Sequence, residues 1–232
     1  MATTFTRAGR TEPATPDPAF GLTPVRAPEG PPRRAPGRRL VRRLAGLYAG
    51  LALFGVSMAL MIAAGLGLPS WDVLHQGLAA RTGLPFGWIV IGVGAVVLAL
   101  WIPLRQRPGL GTVSNVIVVG LAVDAASAVL PTPDHPAARA GFLLAGILLN
   151  GVATGLYIGA RFGAGPRDGL MTGLAARGIS IRAARTILEL AVLAAGWALG
   201  GTAGLGTLLY AVGIGPLAQY FIRVFTVKGD NS

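Results

Sequence analysis

The sequence predicts an all-α membrane protein, with six transmembrane helices arranged as two inverted three-helix repeats and an extra short helix in each repeat. Three observations support this fold class. Of the 232 residues, 53% are hydrophobic and only 12% are charged, about half the charged share of a typical soluble domain. The apolar residues form long runs, as a lipid bilayer requires. The pentapeptide Gly-Leu-Ala-Ala-Arg occurs twice, at 77–81 and at 173–177.

The N-terminal segment and the rest of the chain differ in composition. Residues 1–40 are rich in Pro, Ala, Thr, Gly and Arg and have no hydrophobic period, so we expect a disordered cytoplasmic tail. The apolar run that begins near Leu44 is too long for a signal-peptide core and is not followed by a cleavage site, which predicts a retained span. The remainder forms one predicted membrane domain, 41–229, made of repeat one (41–132) and repeat two (137–226).

Six apolar segments are long enough to cross a bilayer, because each approaches the ~20 residues that a transmembrane helix needs. They run over 44–67, 86–104, 112–131, 139–162, 180–199 and 205–225. Two shorter segments follow the first and fourth spans, at 70–82 and 166–178. They are too short and too polar to cross, and the sequence leaves open whether they lie at the membrane interface or re-enter the bilayer.

The placement of basic residues predicts the orientation, since cytoplasmic loops of membrane proteins are enriched in Lys and Arg. With the N-terminus in the cytoplasm, only Arg81 and Arg139 fall outside, in short stretches that also contain Asp72 and Asp134. The basic residues placed inside are Arg33, Arg34, Arg38, Arg39, Arg42, Arg43, Arg105, Arg107, Arg161, Arg167, Arg177, Arg182, Arg185, Arg223 and Lys228. We therefore expect both termini in the cytoplasm.

The two halves of the chain match well beyond the repeated pentapeptide. Besides 77–81, the residues that recur unchanged 96 positions later include Gly55, Val56, Leu60, Ile62, Ala64, Gly67, Asp72 and Leu74. Near the third and sixth spans the offset becomes 95, where the stretch 109–112 returns at 204–207. Each unit has three spans, an odd number, so the second unit enters the bilayer from the opposite side. The duplication therefore predicts an inverted repeat.

Small residues recur every four positions in the first and fourth spans. The stripe of the first span is Gly55, Ala59, Ala63 and Gly67, and that of the fourth is Gly151, Gly155, Gly159 and Gly163. Such stripes let helix backbones approach closely in lipid. We predict that the first and fourth spans cross along them, although glycine is common throughout this chain, with 35 residues.

Each short segment has a proline near its start and an aspartate in its first turn, Asp72 in one and Asp168 in the other. A carboxylate there complements the free N–H groups and the positive end of the helix dipole, which is a structural interpretation. The functional interpretation is that both aspartates line a substrate or ion path where broken helices meet at the repeat interface. The sequence leaves both open.

Ionisable residues within predicted spans are functional candidates, because a charge in lipid is costly. Asp124 lies in the third span and Glu189 in the fifth, where Arg185 precedes Glu189 by one turn and could pair with it. Asn150 and Gln219 could complete a polar lining or form hydrogen bonds between helices. The same holds for Asn115, Thr154, Tyr157 and Tyr210.

Other function classes find little support. The net charge of +11 arises from arginines in the tail and at span ends rather than on one face, so we expect no nucleic-acid partner. There is no cysteine, and the two histidines, His75 and His135, are far apart, so we expect no metal site. The chain has neither a phosphate-binding loop nor a nucleophile elbow. We expect a protein that is not an enzyme and has no cofactor.

Four stretches carry a resemblance to a known family: GLPSWDVLHQGLAARTG, WIPLRQRPGLGTVSN, NGVATGLYIGARFGAGPRDGLMTGLAAR and GGTAGLGTLLYAVGIGPL. They resemble bacterial membrane proteins of the YczE/YyaS/YitT type, most closely the YczE-like branch, and the resemblance extends over roughly 40–226. It implies a multi-pass protein of the bacterial inner membrane, and it brings neither a substrate nor catalytic residues.

We expect a small secondary transporter or permease for an unknown small solute or ion. Asp124 and Glu189 would be proton or cation sites, and Asp72 and Asp168 would be gate residues. The alternative is a regulatory or assembly factor without transport activity, which would bind a partner protein through its tail and cytoplasmic arginines. Besides the lipid bilayer, a second copy of the chain is a further candidate partner.

Overall fold

The computed structural model describes residues 36–226, which form eight α-helices and no strand. The helices are α1 (Pro36–Ala64), α2 (Ser70–Thr82), α3 (Phe86–Trp101), α4 (Leu110–Ser127), α5 (Pro136–Gly159), α6 (Pro166–Ala175), α7 (Ile181–Ala198) and α8 (Leu205–Phe225). The predicted all-α class is confirmed for this part of the chain. Six of the helices coincide with the predicted spans, and α2 and α6 coincide with the two short segments.

Four helices are long and apolar enough to cross a membrane: Leu40–Ala64 within α1, Leu110–Ser127, Pro136–Gly159 and Leu205–Phe225. A fifth span results if α2 and α3, which are bent by 115° relative to each other, are taken together. Alone, α3 has 16 residues and covers about 24 Å at 1.5 Å per residue. α7 carries three charged residues, Arg182, Arg185 and Glu189. Separate crossings by α3 and α7 therefore stay a prediction.

The start of α1 corrects the predicted boundary of the tail. The helix begins at Pro36, so residues 36–40 are helical rather than part of a disordered segment. Proline suits a first helical turn, because its missing N–H would have no partner there. The rest of the predicted tail, together with Arg33, Arg34 and Lys228, lies outside the described residues. The regulatory alternative, which depends on that tail, stays a prediction.

α1 and α5 pack against each other and run antiparallel, as two arginine contacts at their ends demonstrate. Arg43, near the start of α1, donates hydrogen bonds to the carbonyl oxygens of Ala160 (2.9 Å) and Arg161 (3.2 Å) at the end of α5. Arg139, near the start of α5, donates in the same way to the carbonyls of Ala64 and Gly65, both at 2.8 Å. Each arginine thus satisfies free carbonyls at a helix C-terminus. All residues of the second contact are the counterparts, 96 positions away, of those of the first.

The contact between α1 and α5 is made by glycines outside the predicted stripes. A Cβ atom added to Gly50 would lie 2.7 Å from the backbone nitrogen of Tyr157 and 3.0 Å from the carbonyl oxygen of Ala153. A Cβ added to Gly146 would lie 2.7 Å from Cγ of Met61. Gly50 and Gly146, again 96 positions apart, therefore let the two backbones approach.

The predicted crossing of the first and fourth spans along their small-residue stripes is wrong, although these two helices do pack. Gly55 faces α4, since an added Cβ would lie 2.7 Å from the nitrogen of Val123. The stripe of α5 faces α8 instead: Gly151 lies against Leu217, Gly155 against Phe221 and Gly159 against Phe225. Five residues separate Gly50 from Gly55, which rotates them roughly 140° apart around the helix. Ala59 is buried in a hydrophobic cluster that includes residues of α1, α3, α4 and α5, and Ala63 is half-buried near the helix end.

The last stripe residues, Gly67 and Gly163, lie beyond the helices in the turns that lead into α2 and α6. Their φ angles of 108° and 124° fall in the region that glycine adopts readily. A Cβ would lie 2.6 Å from the nitrogen of Gly204 in the first turn and 2.8 Å from Oγ1 of Thr112 in the second. Backbone hydrogen bonds tie the turns to the starts of α8 and α4 (Gly206 N to Leu66 O, 2.7 Å; Gly111 N to Phe162 O, 2.9 Å). Each turn is thereby fixed to the last helix of the other half.

The short helices also pack across the halves, α2 against α7 and α6 against α3. Arg81, at the end of α2, donates a hydrogen bond from Nε to the carbonyl of Leu199 at 3.3 Å. Arg177, just after α6, donates from Nη2 to the carbonyl of Pro103. The two arginines are 96 positions apart, and so are the two acceptors.

The two halves differ at one pair of helices. α3 packs tightly on α4: a Cβ added to Gly120 would lie 2.6 Å from the carbonyl oxygen of Gly87, and Asp124 accepts a 2.7 Å hydrogen bond from the nitrogen of Gly87. By contrast, α7 packs on α2 and α6 and hardly touches α8. Gly215, the counterpart of Gly120, has no described atom within 4 Å of an added Cβ. The second half is therefore open where the first half is closed.

Candidate functional site

A cavity of about 340 Å³ lies inside the helical domain, where the first turns of α2 and α6 face residues of the six longer helices. Its volume is within the range of ligand pockets, about 300–1,000 Å³. Both short helices direct their N-terminal ends to the same place. Since the N-terminus of a helix carries unpaired N–H groups and a partial positive charge, the cavity has a polar end set by the backbone.

The first turns of α2 and α6 are in direct contact. The guanidinium carbon of Arg167 lies 5.0 Å from the ring centroid of Trp71, in a cation–π arrangement. Arg167 Nη2 also lies 3.4 Å from Oδ1 of Asp72. Trp71 and Arg167 are counterparts at the 96-residue offset, so the two halves meet here through equivalent positions.

Asp72 is the centre of a buried polar cluster next to the cavity. It is 2% exposed, as is His75, whose Nδ1 lies 3.2 Å from the same Oδ1. The imidazole ring packs edge-on against Phe86 at 5.8 Å between centroids. Because Asp72 has two partners, its carboxylate is compensated. Nε1 of Trp71, by contrast, is buried without a hydrogen-bond partner among the described residues.

Asp168 lines the cavity from the first turn of α6. A Cβ added to Gly165 would lie 3.2 Å from Oδ2 of Asp168 and 3.2 Å from the hydroxyl oxygen of Tyr157. The glycine thus leaves room for the carboxylate and the phenol beside the helix start. Unlike Asp72, Asp168 has no ion-pair partner within 4.0 Å among residues 36–226.

Arg185 and Glu189 line the cavity from successive turns of α7, and Gln219 lines it from α8. The expected ion pair between Arg185 and Glu189 is not formed. The two ion pairs in the described part of the chain both involve Asp72. The structure therefore brings together eight of the predicted candidates at one cavity: Asp168, Arg185, Glu189, Gln219, Asn115, Thr154, Tyr157 and Tyr210.

Two other candidates lie away from the cavity lining. Asp124 caps the start of α3 through its hydrogen bond with the nitrogen of Gly87, as a carboxylate does at a helix N-terminus. Asn150 is 1% exposed and links three helices: its Nδ2 donates to Oγ of Ser57 (2.8 Å), and its Oδ1 accepts from the hydroxyl of Tyr210 (3.0 Å). Both side chains have evident structural roles.

The walls of the cavity differ in chemistry. The side formed by α3 and α4 is mainly apolar, with Val90, Val93, Val97, Val116 and Val119. The side formed by α7 and α8 carries Arg185, Glu189, Tyr210 and Gln219. A solute in this cavity would meet charged and apolar surfaces together.

Sequence reasoning missed Trp71, His75 and Arg167 as site residues, because they lie outside the predicted spans. Two signals could have identified them. His75 follows Asp72 by three positions on a helix, which places both on one face. Arg167 is the counterpart of Trp71 in a repeat whose short helices could meet.

Within residues 36–226, no group of three His, Cys, Asp or Glu side chains could hold a metal ion.

Comparison with known proteins identifies related sequences. Residues 41–223 match a family of unknown function (DUF6198). An uncharacterized protein of Haemophilus influenzae is 41% identical over 179 residues, 77% of this chain and 82% of the relative. The uncharacterized membrane protein YczE of Bacillus subtilis is 32% identical over 79% of this chain and 86% of its own length. YyaS of the same organism is 26% identical over 75% and 90%. No solved structure matches the chain.

Proposed function

We propose a function for this chain from one established premise: it belongs to the DUF6198 family and is a relative of the membrane protein YczE. The proposed function is that of a small secondary transporter in the bacterial inner membrane, which moves a small solute through its central cavity. One observation carries the proposal: two short helices, one from each half, begin side by side at a charged cavity. In membrane proteins, charged side chains and non-helical backbone inside the bilayer belong to substrate or ion pathways.

The proposed architecture is two inverted three-helix repeats, with both termini in the cytoplasm. The antiparallel packing of α1 and α5 supports it, because equivalent helices of inverted repeats run in opposite directions. Two pairs of equivalent hydrogen bonds to backbone carbonyls support it further: those of Arg43 and Arg139, and those of Arg81 and Arg177. A pseudo-two-fold axis through the centre of the α1–α5 pair would relate these contacts.

In this architecture α2 and α6 are re-entrant rather than interfacial. The turn before α2 follows the end of α1 beside Arg139, and the turn before α6 follows the end of α5 beside Arg43. These turns belong to opposite ends of the antiparallel pair, yet Trp71 and Arg167 are in contact. Each short helix must therefore begin near the middle and return to its own side, as the broken helices of transporters do.

The difference between α3–α4 and α7–α8 fits an alternating-access cycle. In the proposed orientation, Arg185 and Glu189 belong to the cytoplasmic half of α7, and Thr154 and Tyr157 to the cytoplasmic half of α5. Lined by these residues, the cavity corresponds to an inward-facing state. In the opposite state α7 would pack on α8 as α3 packs on α4 here, while α3 and α4 would separate.

Glu189 and Asp168 are the proposed coupling groups. Both line the cavity without an ion-pair partner among residues 36–226. Asp72 is compensated by Arg167 and His75, and Asp124 is engaged at the start of α3. A carboxylate that is free to bind a proton or cation in the cavity can couple its movement to that of a solute.

Proteoliposomes test the proposal. Vesicles loaded with a pH-sensitive dye are screened with a panel of small solutes for solute-dependent proton movement, using wild type, Glu189→Gln, Asp168→Asn and the control Asp124→Asn. The control makes the same acid-to-amide change outside the cavity, and its side-chain oxygen can still accept from Gly87. We expect coupled movement in wild type and the control and its loss in the two cavity variants. Absence of any solute-dependent movement, or equal activity of Glu189→Gln and the control, would contradict transport.

A further inference from the structure

We infer that the solute bound in the cavity is a small zwitterion with an apolar body, such as an α-amino acid with an aliphatic side chain. The inference rests on the proposed function and names its substrate class. It is carried by the placement of Arg185 and Glu189, two opposite charges on neighbouring turns of α7 that both line the cavity.

The other two charged residues that line the cavity, Arg167 and Asp168, have different surroundings. Arg167 lies 3.4 Å from Asp72 and stacks on Trp71, so its charge is engaged within the protein. Asp168 lies in the first turn of α6, where the free N–H groups and the dipole of that helix favour a carboxylate. Arg167 therefore requires no charge from the solute, and Asp168, which has no ion-pair partner among the described side chains, remains the group that binds the coupling proton or cation.

Arg185 and Glu189 are different. At a spacing of four residues they could pair along the helix, but they are not within 4.0 Å of each other in the described structure. Charged groups inside a membrane protein need counter-charges. A guanidinium binds a carboxylate through two parallel hydrogen bonds, and a carboxylate binds an ammonium group. A zwitterion supplies both partners and adds no net charge to the cavity, whereas a singly charged solute leaves one residue without a partner.

The apolar lining selects the body of the solute. Five valines of α3 and α4 line the same cavity as Arg185 and Glu189, and burying apolar surface against them is favourable. The volume of about 340 Å³ is near the lower end of ligand pockets. A molecule of amino-acid size with an aliphatic side chain fits both properties.

A matched ligand series on the purified full-length chain tests the inference. Leucine is the zwitterion, leucinamide the cation and N-acetylleucine the anion, and all three have the same side chain. Binding is measured in detergent by calorimetry and by the fluorescence of the tryptophans, one of which, Trp71, lines the cavity. We expect leucine to bind at least about tenfold more tightly than either analogue, a difference of ~1.4 kcal/mol.

Variants test which residue binds each charged group of the solute. Arg185→Gln should remove the preference for leucine over leucinamide, since the carboxylate loses its partner, and Glu189→Gln should remove the preference over N-acetylleucine. Arg182→Gln, one turn away on the same helix and outside the cavity lining, should leave the series unchanged. If a variant fails to fold, the ligand series on wild type decides alone.

Equal binding of the three ligands, tighter binding of a singly charged analogue, or no binding of any would overturn the inference. The proteoliposome measurement distinguishes failure of the substrate class from failure of the transport proposal. Coupled movement of a solute that is not a zwitterion would overturn the substrate class and leave transport intact. Leucine binding with the expected variant pattern, but without coupled movement, would leave the substrate class intact and contradict transport.

Discussion

The two halves of the molecule have the same helices but differ in how their last two helices meet. In the first half, Gly120 of α4 lies against Gly87 of α3, and Asp124 accepts a hydrogen bond there. In the second half, the counterparts Gly215 and Gln219 both line the cavity, and no described atom lies within 4 Å of a Cβ added to Gly215. The two halves thus show a closed and an open arrangement of equivalent helices in the same structure.

The halves differ in chemistry at the cavity as well. Val93 in α3 corresponds to Glu189 in α7, and Ile89 corresponds to Arg185. The arginines that form the reciprocal contacts, by contrast, are the same in both halves. The two halves therefore share their helices and their arginine contacts, whereas the charged side chains that line the cavity belong to the second half.

The largest expected difference is between the two counterpart aspartates. Asp72→Ala leaves Arg167 and His75 without their carboxylate, and removing one partner of a largely buried ion pair costs about 3 kcal/mol. Asp168→Ala breaks no ion pair among the described side chains and removes a favourable charge from a helix N-terminus, about 1 kcal/mol or less. Thermal unfolding in detergent, followed by intrinsic fluorescence, compares the two. Equal losses of stability would contradict the asymmetric cluster around Asp72.

A smaller difference is expected between the two counterpart glycines. Gly120→Val forces a side chain against the carbonyl of Gly87 and should destabilise the protein by about 1–3 kcal/mol. Gly215→Val enters open space and should change stability by less than about 0.5 kcal/mol, yet it should reduce transport, because it obstructs the packing of α7 on α8. Unfolding and proteoliposome assays on both variants check this. If Gly215→Val destabilises as much as Gly120→Val, the open arrangement is wrong.

The smallest difference is expected between the two counterpart arginines. Arg43→Gln and Arg139→Gln each remove side-chain hydrogen bonds to two carbonyls at a helix C-terminus, and we expect a loss of about 1 kcal/mol for each. Because the two sites lie at opposite ends of the α1–α5 pair, their effects should add in the double variant. Thermal unfolding of the three variants checks equality and additivity. A loss in only one single variant would break the equivalence of the halves.

The sequence predicted the helices well and their contacts less well. Apolar runs and prolines located all eight helices within a few residues, apart from the start of α1, and the repeat identified the counterparts. The predicted packing partner of each small-residue stripe was wrong. In lipid all faces of a helix are apolar, so periodicity does not tell which neighbouring helix a face contacts. Asp124 was assigned to an ion path because its depth in a span could be read from the sequence, whereas its hydrogen bond to Gly87 depends on how α3 docks. The contact of Trp71 with Arg167 could not be predicted, because it depends on the backbone course of the turns before α2 and α6, which composition does not determine.

The most direct test of the account is the side of the membrane on which each short helix ends. The chain has no cysteine, so single cysteines can be introduced without background at Leu84 and Ile179, exposed positions after α2 and α6. Intact cells or right-side-out vesicles are treated with a membrane-impermeant maleimide before and after permeabilisation. The account predicts that Leu84→Cys reacts in intact cells and Ile179→Cys only after permeabilisation. Reaction of both from the same side would contradict the inverted repeat and the transport cycle that depends on it.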